Sequence, residues 1–354
     1  MKQADAAGLK RSPRMIKRLV HRLVLRAETL LDPIFGRSGT GRHIDPFIGF
    51  ATPEGVVLRG RVLSKLRHAK AGKGQSRLDN LRNMIGMFLT DEVRDATVSY
   101  GDLTARSDEE GYFTLMLPHD GKTGWQSAAL TVEGSTEIFN CPYFVPPADA
   151  RFMVVSDIDD TMMLTGAYSL TRNLWTSLTG NALSRIIFPD AKQLMETLSD
   201  GARNPVYYVS SSPWNLHNFL GNVFNNAGLV RGPMFLRDLG ISETKFITEG
   251  HGGHKGGSID QILRASPDLP VILLGDTGQH DAHIYLEAIN RHPGRILAVG
   301  LRIPENGIDA ADQRDLDALE QSEVPTFAAQ DFSGFVELMR KVHPDLMERP
   351  TPPH

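Results

Sequence analysis

The 354-residue chain is 41% apolar, 23% charged and 7% aromatic, a globular composition that excludes both a disordered chain and a disulfide-stapled miniprotein. Its length suits two domains. A single cysteine, Cys141, excludes an internal disulfide and a cysteine-cluster zinc site, which points to a reducing, cytoplasmic setting. The net charge of -4 carries no general bias toward nucleic acid, and no apolar run is long enough to span a bilayer.

In chain order, residues 1–26 hold eight Lys or Arg against one acid, Asp5. Met15, Ile16, Leu19, Val20, Leu23, Ala27, Leu30 and Leu31 recur between them at helical spacing. The pattern predicts a basic amphipathic helix, packed on its own domain, peripheral on an anionic membrane surface, or serving as a targeting peptide. With a Gly/Pro/Arg-rich linker it fills residues 1–50. Residues 51–148 read mostly as β. Strands are expected at 56–63, 96–100, 112–117 and 128–132, with a turn at Asp108–Gly111, a loop over 64–77 and a helix over 78–91. Short strands at this spacing suggest a small sandwich.

Pro146 and Pro147 mark a boundary, after which the pattern changes. Over 149–345, apolar strands at 151–156, 206–209, 234–236, 271–274 and 296–301 alternate with helical stretches at 190–199, 215–227, 257–265 and 281–291. Alternation of this kind predicts an α/β fold with a parallel sheet covered on both faces. Residues 346–354 form a tail. Ligands of such sheets sit at the carboxyl ends of the strands.

Those ends carry polar groups. The first strand runs into Asp157-Ile158-Asp159-Asp160-Thr161; three carboxylates after a buried strand repel one another and favour a cation between them. The second ends in Ser210-Ser211-Ser212, whose hydroxyls and N–H groups can hold a phosphate oxygen or cap the helix that begins near Pro213-Trp214-Asn215. Lys255 stands in a glycine-rich segment at an expected helix start, where a cation opposes the dipole and hints at an anion. The fourth strand ends in Gly275-Asp276-Thr277-Gly278-Gln279-His280-Asp281; Asp276 and Asp281 add hard oxygen ligands that suit Mg2+.

Taken together, the order Asp-x-Asp-x-Thr, Ser, Lys, Gly-Asp-x-x-x-x-Asp resembles the haloacid-dehalogenase-like hydrolases over residues 151–304. The flanks Tyr208–Leu216, His254-Lys255 and Gly275–Asp281 are similar to the actin-patch type of phosphatidate phosphatases, whose bacterial relatives also carry an N-terminal β-rich domain. The resemblance implies a Rossmann-like parallel sheet of haloacid-dehalogenase type with a small or no cap, preceded by a smaller β-rich domain. It implies Asp157 as nucleophile, Asp159 as general acid and base, and Ser210 and Lys255 on the phosphoryl oxygens. Mg2+ falls to Asp157, the Asp159 carbonyl, Asp276 and Asp281. Ser211, Ser212, Trp214 and Asn215 are the candidate substrate contacts.

Only 52 residues separate Asp157 from Ser210 and 44 separate Ser210 from Lys255. That leaves little for a lid beyond 165–187 with Trp175, and a weakly capped site suits a bulky phospholipid at a membrane surface. Three alternatives stand beside this reading. One is the same mechanism on soluble or protein phosphomonoesters. Another is a non-catalytic lipid-binding adaptor. The third is a zinc hydrolase on His251, His254, His280 and His283, whose spacings do not match a paired-helix site.

Overall fold

The computed structural model describes residues 41–64, 92–164, 187–237 and 251–348. The basic helix, the helix over 78–91, most of the 64–77 loop, the candidate lid with Trp175 and the end of the tail lie outside the described residues. Arg42–His354 forms one compact unit.

Its N-terminal half is a single curled sheet of eight strands, where the spacing suggests a sandwich. The strands are β1 (His43–Pro46), β2 (Gly49–Thr52), β3 (Gly55–Leu63), β4 (Thr97–Tyr100), β5 (Leu103–Arg106), β6 (Tyr112–Leu117), β7 (Gly124–Val132) and β8 (Phe139–Val145). They lie in the order β1-β3-β2-β8-β7-β4-β5, with β6 on β3. These strands pair antiparallel except β2 with β8. Strand structure therefore starts inside the segment expected as linker. Alternation explains the curl: Val56, Leu58 and Val62 of β3 turn inward with Ala128, Leu130 and Val132 of β7, while Val57 turns outward. The outward face of β3 is also buried, because it meets the C-terminal half, so β3 lacks the half-polar signature of an ordinary surface strand.

The C-terminal half is a six-stranded parallel sheet. Its strands are β9 (Met153–Asp157), β10 (Val206–Pro213), β11 (Met234–Arg237), β12 (Val271–Asp276), β13 (Ile296–Arg302) and β14 (Thr326–Ala329). The order is β11-β10-β9-β12-β13-β14, and every pairing is parallel. The chain adds strands on one side of β9, then on the other, so the switch point lies between β9 and β12, where this architecture places a ligand.

Helices cover both faces. On one lie α1 (Pro189–Ser199), α2 (His217–Ala227) and α6 (Phe335–Val342), burying Leu194, Phe219, Val223 and Phe335 against Val154, Tyr208 and Ile272. On the other lie α3 (His251–Ala265), α4 (Asp281–Arg291) and α5 (Ala310–Glu320), burying Ile259, Ile262, Ile284 and Leu316 against Val155, Val209 and Leu273. Full burial of each such side chain contributes roughly 1.5–3 kcal/mol.

The five expected parallel strands and four helices are present. The sixth strand and α5 and α6 were not expected. β14 is four half-buried residues without a long apolar run, too short for periodicity to detect. Helix α3 begins at His251 rather than near 257, so Lys255 stands in its second turn and not at its start. The glycines of 252–257 hid the helix, since glycine lowers local propensity by about 1 kcal/mol each.

Candidate active site

Asp157 closes β9 on the face covered by α3, because side chains alternate along the strand and Met153 and Val155 pack there too. From α3, Lys255 reaches back to it: Nζ lies 2.8 Å from Asp157 Oδ1 and 2.6 Å from Asp281 Oδ1. Thr161 donates its hydroxyl to Asp157 Oδ2 at 3.1 Å. At the end of β12, Asp276 Oδ1 accepts from the Gly278 N–H at 2.7 Å, and the Asp276 N–H donates to Asp281 Oδ2 at 3.3 Å. All five side chains are buried.

Asp157, Asp276 and Asp281 each present a carboxylate oxygen within 4.8 Å of the others. Three buried carboxylates face one ammonium, and Asp276 Oδ2 has no hydrogen-bond partner among the described residues. That charge deficit and the all-oxygen donor set fit a hard divalent cation. Among the described residues this is the one group of metal-ligating side chains so convergent, and it holds no histidine. His280 and His283 instead approach Asp312 at 3.5 Å and Glu287 at 3.4 Å.

Burial pushes Asp157 well above the usual carboxylate range; Lys255 pulls it back, and Asp281 and Asp159 push it further up. Asp276 is raised by burial and then by Asp281 and Asp157. Burial disfavours the Lys255 charge, but Asp157, Asp281 and Asp276 outweigh it and lift the ammonium above its ordinary value. The two carboxyl shifts express burial and like charges crowded in a dry centre, and the Lys255 shift the opposite charges around it.

Asp159 points elsewhere. Its Oδ2 accepts the Ser210 hydroxyl at 2.7 Å and the Ser212 hydroxyl at 3.1 Å, while Oδ1 has no partner among the described residues. Burial raises its pKa above the usual carboxylate value, opposed by Ser210, Lys255 and Ser212. Ser210 and Ser212 thus hold Asp159 in this state. Ser211 and Asn215 are part-exposed nearby. Trp214, proposed from sequence as a substrate contact, has its ring stacked on Phe47 at 4.5 Å.

Sequence reasoning assigned no role to three residues that hold these loops. Gln279 Nε2 donates to the Asp159 carbonyl at 3.0 Å. Arg302, beside Asp276 in register, donates to the Thr161 carbonyl at 3.1 Å, the Gln330 carbonyl at 2.7 Å and Asp190 at 2.6 Å, between the rings of Phe188 and Phe332. Gly275 leaves the space that Asp281 and Tyr285 occupy. Gln279 and Gly275 stand inside the aspartate motif and could be suspected from it; nothing local marks Arg302.

Fold and site together define a parallel α/β protein with a buried aspartate–lysine centre at the switch point of its sheet. Residues 152–303 match the family model described as the catalytic domain of phosphatidate phosphatase APP1. Over these residues the chain carries a catalytic domain of the APP1 type. It is 27% identical over 230 residues to phosphatidate phosphatase APP1 of Saccharomyces cerevisiae, covering 64% of this chain and 37% of that protein. It is 29% identical over 235 residues to an uncharacterized protein of Schizosaccharomyces pombe, covering 62% and 37%. The chain therefore spans a little over a third of the length of these curated relatives. A solved bacterial Ig-like-domain GH10 xylanase from termite gut aligns at 9% identity over 66% of this chain and 72% of that one, with a TM-score of 0.18, and carries no argument.

Proposed function

We propose that the chain is a Mg2+-dependent phosphatidate phosphatase that hydrolyses the lipid phosphomonoester to diacylglycerol and phosphate through an aspartyl-phosphate on Asp157, on a sheet of the haloacid-dehalogenase type. The observation that carries this reading is the placement of Asp157 against Lys255 at 2.8 Å, with Asp159 two residues on and held apart by Ser210 and Ser212. The name of the yeast relative supports phosphatidate as substrate.

In this reading a carboxylate oxygen of Asp157 attacks phosphorus, which splits a difficult hydrolysis into two steps. Asp159, favoured in its protonated form by burial, gives its proton to the departing alcohol oxygen and then takes one from the water that attacks the aspartyl-phosphate. Lys255 keeps Asp157 ionised and offsets charge on the phosphoryl oxygens. Ser210 exchanges its bond to Asp159 for a phosphoryl oxygen when substrate arrives. Asp157, Asp276 and Asp281, with the Asp159 carbonyl, would hold Mg2+, which when bound supplies the positive charge that lets an anionic nucleophile approach an anionic phosphate.

No helix among the described residues is long and apolar enough to cross a membrane; in this proposal a cytoplasmic protein reaches its bilayer substrate peripherally. The deciding measurement is phosphate release from phosphatidate vesicles with and without Mg2+. Wild-type release should require the metal and vanish in Asp157→Asn. Hydrolysis of soluble phosphomonoesters alone would overturn the lipid assignment, and activity surviving in Asp157→Asn would overturn the mechanism.

A further inference from the structure

Arg59, in the middle of β3, is half-buried, and its buried Nε and Nη2 have no hydrogen-bond acceptor among the described residues. Buried arginines elsewhere are engaged: Arg61 donates to the Glu110 carbonyl and to Glu92, each at 2.7 Å, and Arg302 has three acceptors. In place of acceptors, Arg59 has aromatic rings. Its guanidinium carbon lies 5.2 Å from the Phe50 ring, 5.3 Å from Trp214 and 4.6 Å from Phe235. Such contacts attract a cation to the ring face most strongly where water is excluded. Burial pushes its pKa down only to about 10, so it remains charged at neutral pH.

Phe50 belongs to the curled sheet; Trp214 and Phe235 belong to the parallel one. Arg59 therefore bridges the halves at a defined level: Phe235 is in register with Val209, and Val209 with Asp157. Its neighbour across the sheet adds a second contact. Phe47 donates its N–H to the Arg59 carbonyl at 2.9 Å, and its ring lies 4.5 Å from that of Trp214 with planes 12° apart.

Trp214 ends the segment that bears the two hydroxyls on Asp159. That segment needs external support. Pairing of β10 with β9 stops at Val209, and pairing with β11 is irregular between Val209 and Pro213. Ser210, Ser211 and Ser212 thus lie beyond the regular ladder, tied at one end to Asp159 and at the other to Trp214.

We propose that the Phe47–Arg59 rung of the curled sheet is a positioning element for the reaction, clamping Trp214 and thereby setting the Ser210 and Ser212 hydroxyls against Asp159. The role assigned to these hydroxyls rests on the phosphatase reading; the clamp itself does not. Under this proposal the β half is part of the catalytic apparatus without touching substrate.

The test compares Arg59→Met, which keeps bulk and loses charge, with Arg59→Lys, which keeps a cation over the rings. Hydrogen–deuterium exchange is followed at the Ser211, Ser212 and Trp214 amides and, as reference, along Val271–Asp276. Turnover of p-nitrophenyl phosphate with Mg2+ is measured in parallel. Arg59→Met should speed exchange at the three amides roughly tenfold, leave the reference strand unchanged, and lower kcat roughly tenfold with KM within about twofold. Arg59→Lys should restore most of both. Unchanged exchange at the three amides, or equal acceleration in both strands, overturns the clamp. If Arg59→Met fails to fold, Phe47→Leu removes the stack alone and is read by the same criteria. Should the wild type hydrolyse no phosphomonoester, the phosphatase reading falls while exchange still decides the clamp.

Discussion

Gln279 Nε2 lies 3.0 Å from the carbonyl oxygen of Asp159, so a side chain from the loop after β12 holds the backbone of the loop after β9. The two loops that would share the metal are thereby tied to each other through one amide. The carbonyl has two lone pairs, and Gln279 uses one of them. Its effect is on the direction of the other.

Gln279→Ala is expected to raise the Mg2+ concentration for half-maximal activity by about tenfold or more, the usual consequence of losing a group that orients a ligand. kcat at saturating Mg2+ should change little. Gln279→Glu should be worse, because a carboxylate cannot donate to the carbonyl and repels it. Calorimetric Mg2+ titration of each variant checks this without reference to turnover, and an unaltered affinity in both contradicts it.

Gly275 matters for what is absent. A methyl there would sit 2.6 Å from Asp281 Oδ2 and 2.8 Å from the Tyr285 hydroxyl, a distance that forces Asp281 to move. Gly275→Ala should lose about 1–3 kcal/mol of stability and at least tenfold in kcat/KM. Gly257→Ala is the control: no atom lies within 4 Å of its added methyl, and it stands inside α3. That change should raise stability by up to about 1 kcal/mol. Urea unfolding of the two variants should show opposite signs.

His217 gives a pH signature. Burial and then the charge of Arg59 hold its pKa down at about 4, against 6.5 for an ordinary imidazole. Between these values the unfolded chain binds a proton that the folded chain refuses, so stability falls as pH drops through that window. The loss amounts to about 3 kcal/mol by pH 4. Asp45, pushed up to about 6 by burial, acts with the opposite sign, so the effect is read as a difference between wild type and His217→Gln. The variant should gain relative to wild type as pH falls from 7 to 4. A difference that stays flat contradicts the assignment.

The parallel sheet could be read from the chain because its strands are apolar and continuous, and a strand buried on both faces has that signature. β3 is buried on both faces too, but its outer face is covered by residues more than a hundred positions away, among them Trp214 and Phe235. Nothing in the local pattern around Arg59 marks that face as covered. Helix α3 was truncated for a local reason, its run of glycines, and β14 was missed because four residues do not make a period.

The aspartate and serine positions at the strand ends follow from sequence, since strand periodicity and the α/β alternation dictate which residues arrive at one edge of the sheet; Lys255 comes to them from the second turn of α3. Tertiary structure decided how they divide. Asp157, Asp276 and Asp281 gather around Lys255, whereas Asp159 turns to Ser210 and Ser212. It also gave Gln279, inside the aspartate motif, its partner, and recruited Arg302 and Arg59, neither distinguished by its neighbours in the chain. Such roles depend on which donors and rings lie within a few ångströms in space, and hydrogen bonds and ring contacts are too short-ranged and directional for spacing along a strand to specify.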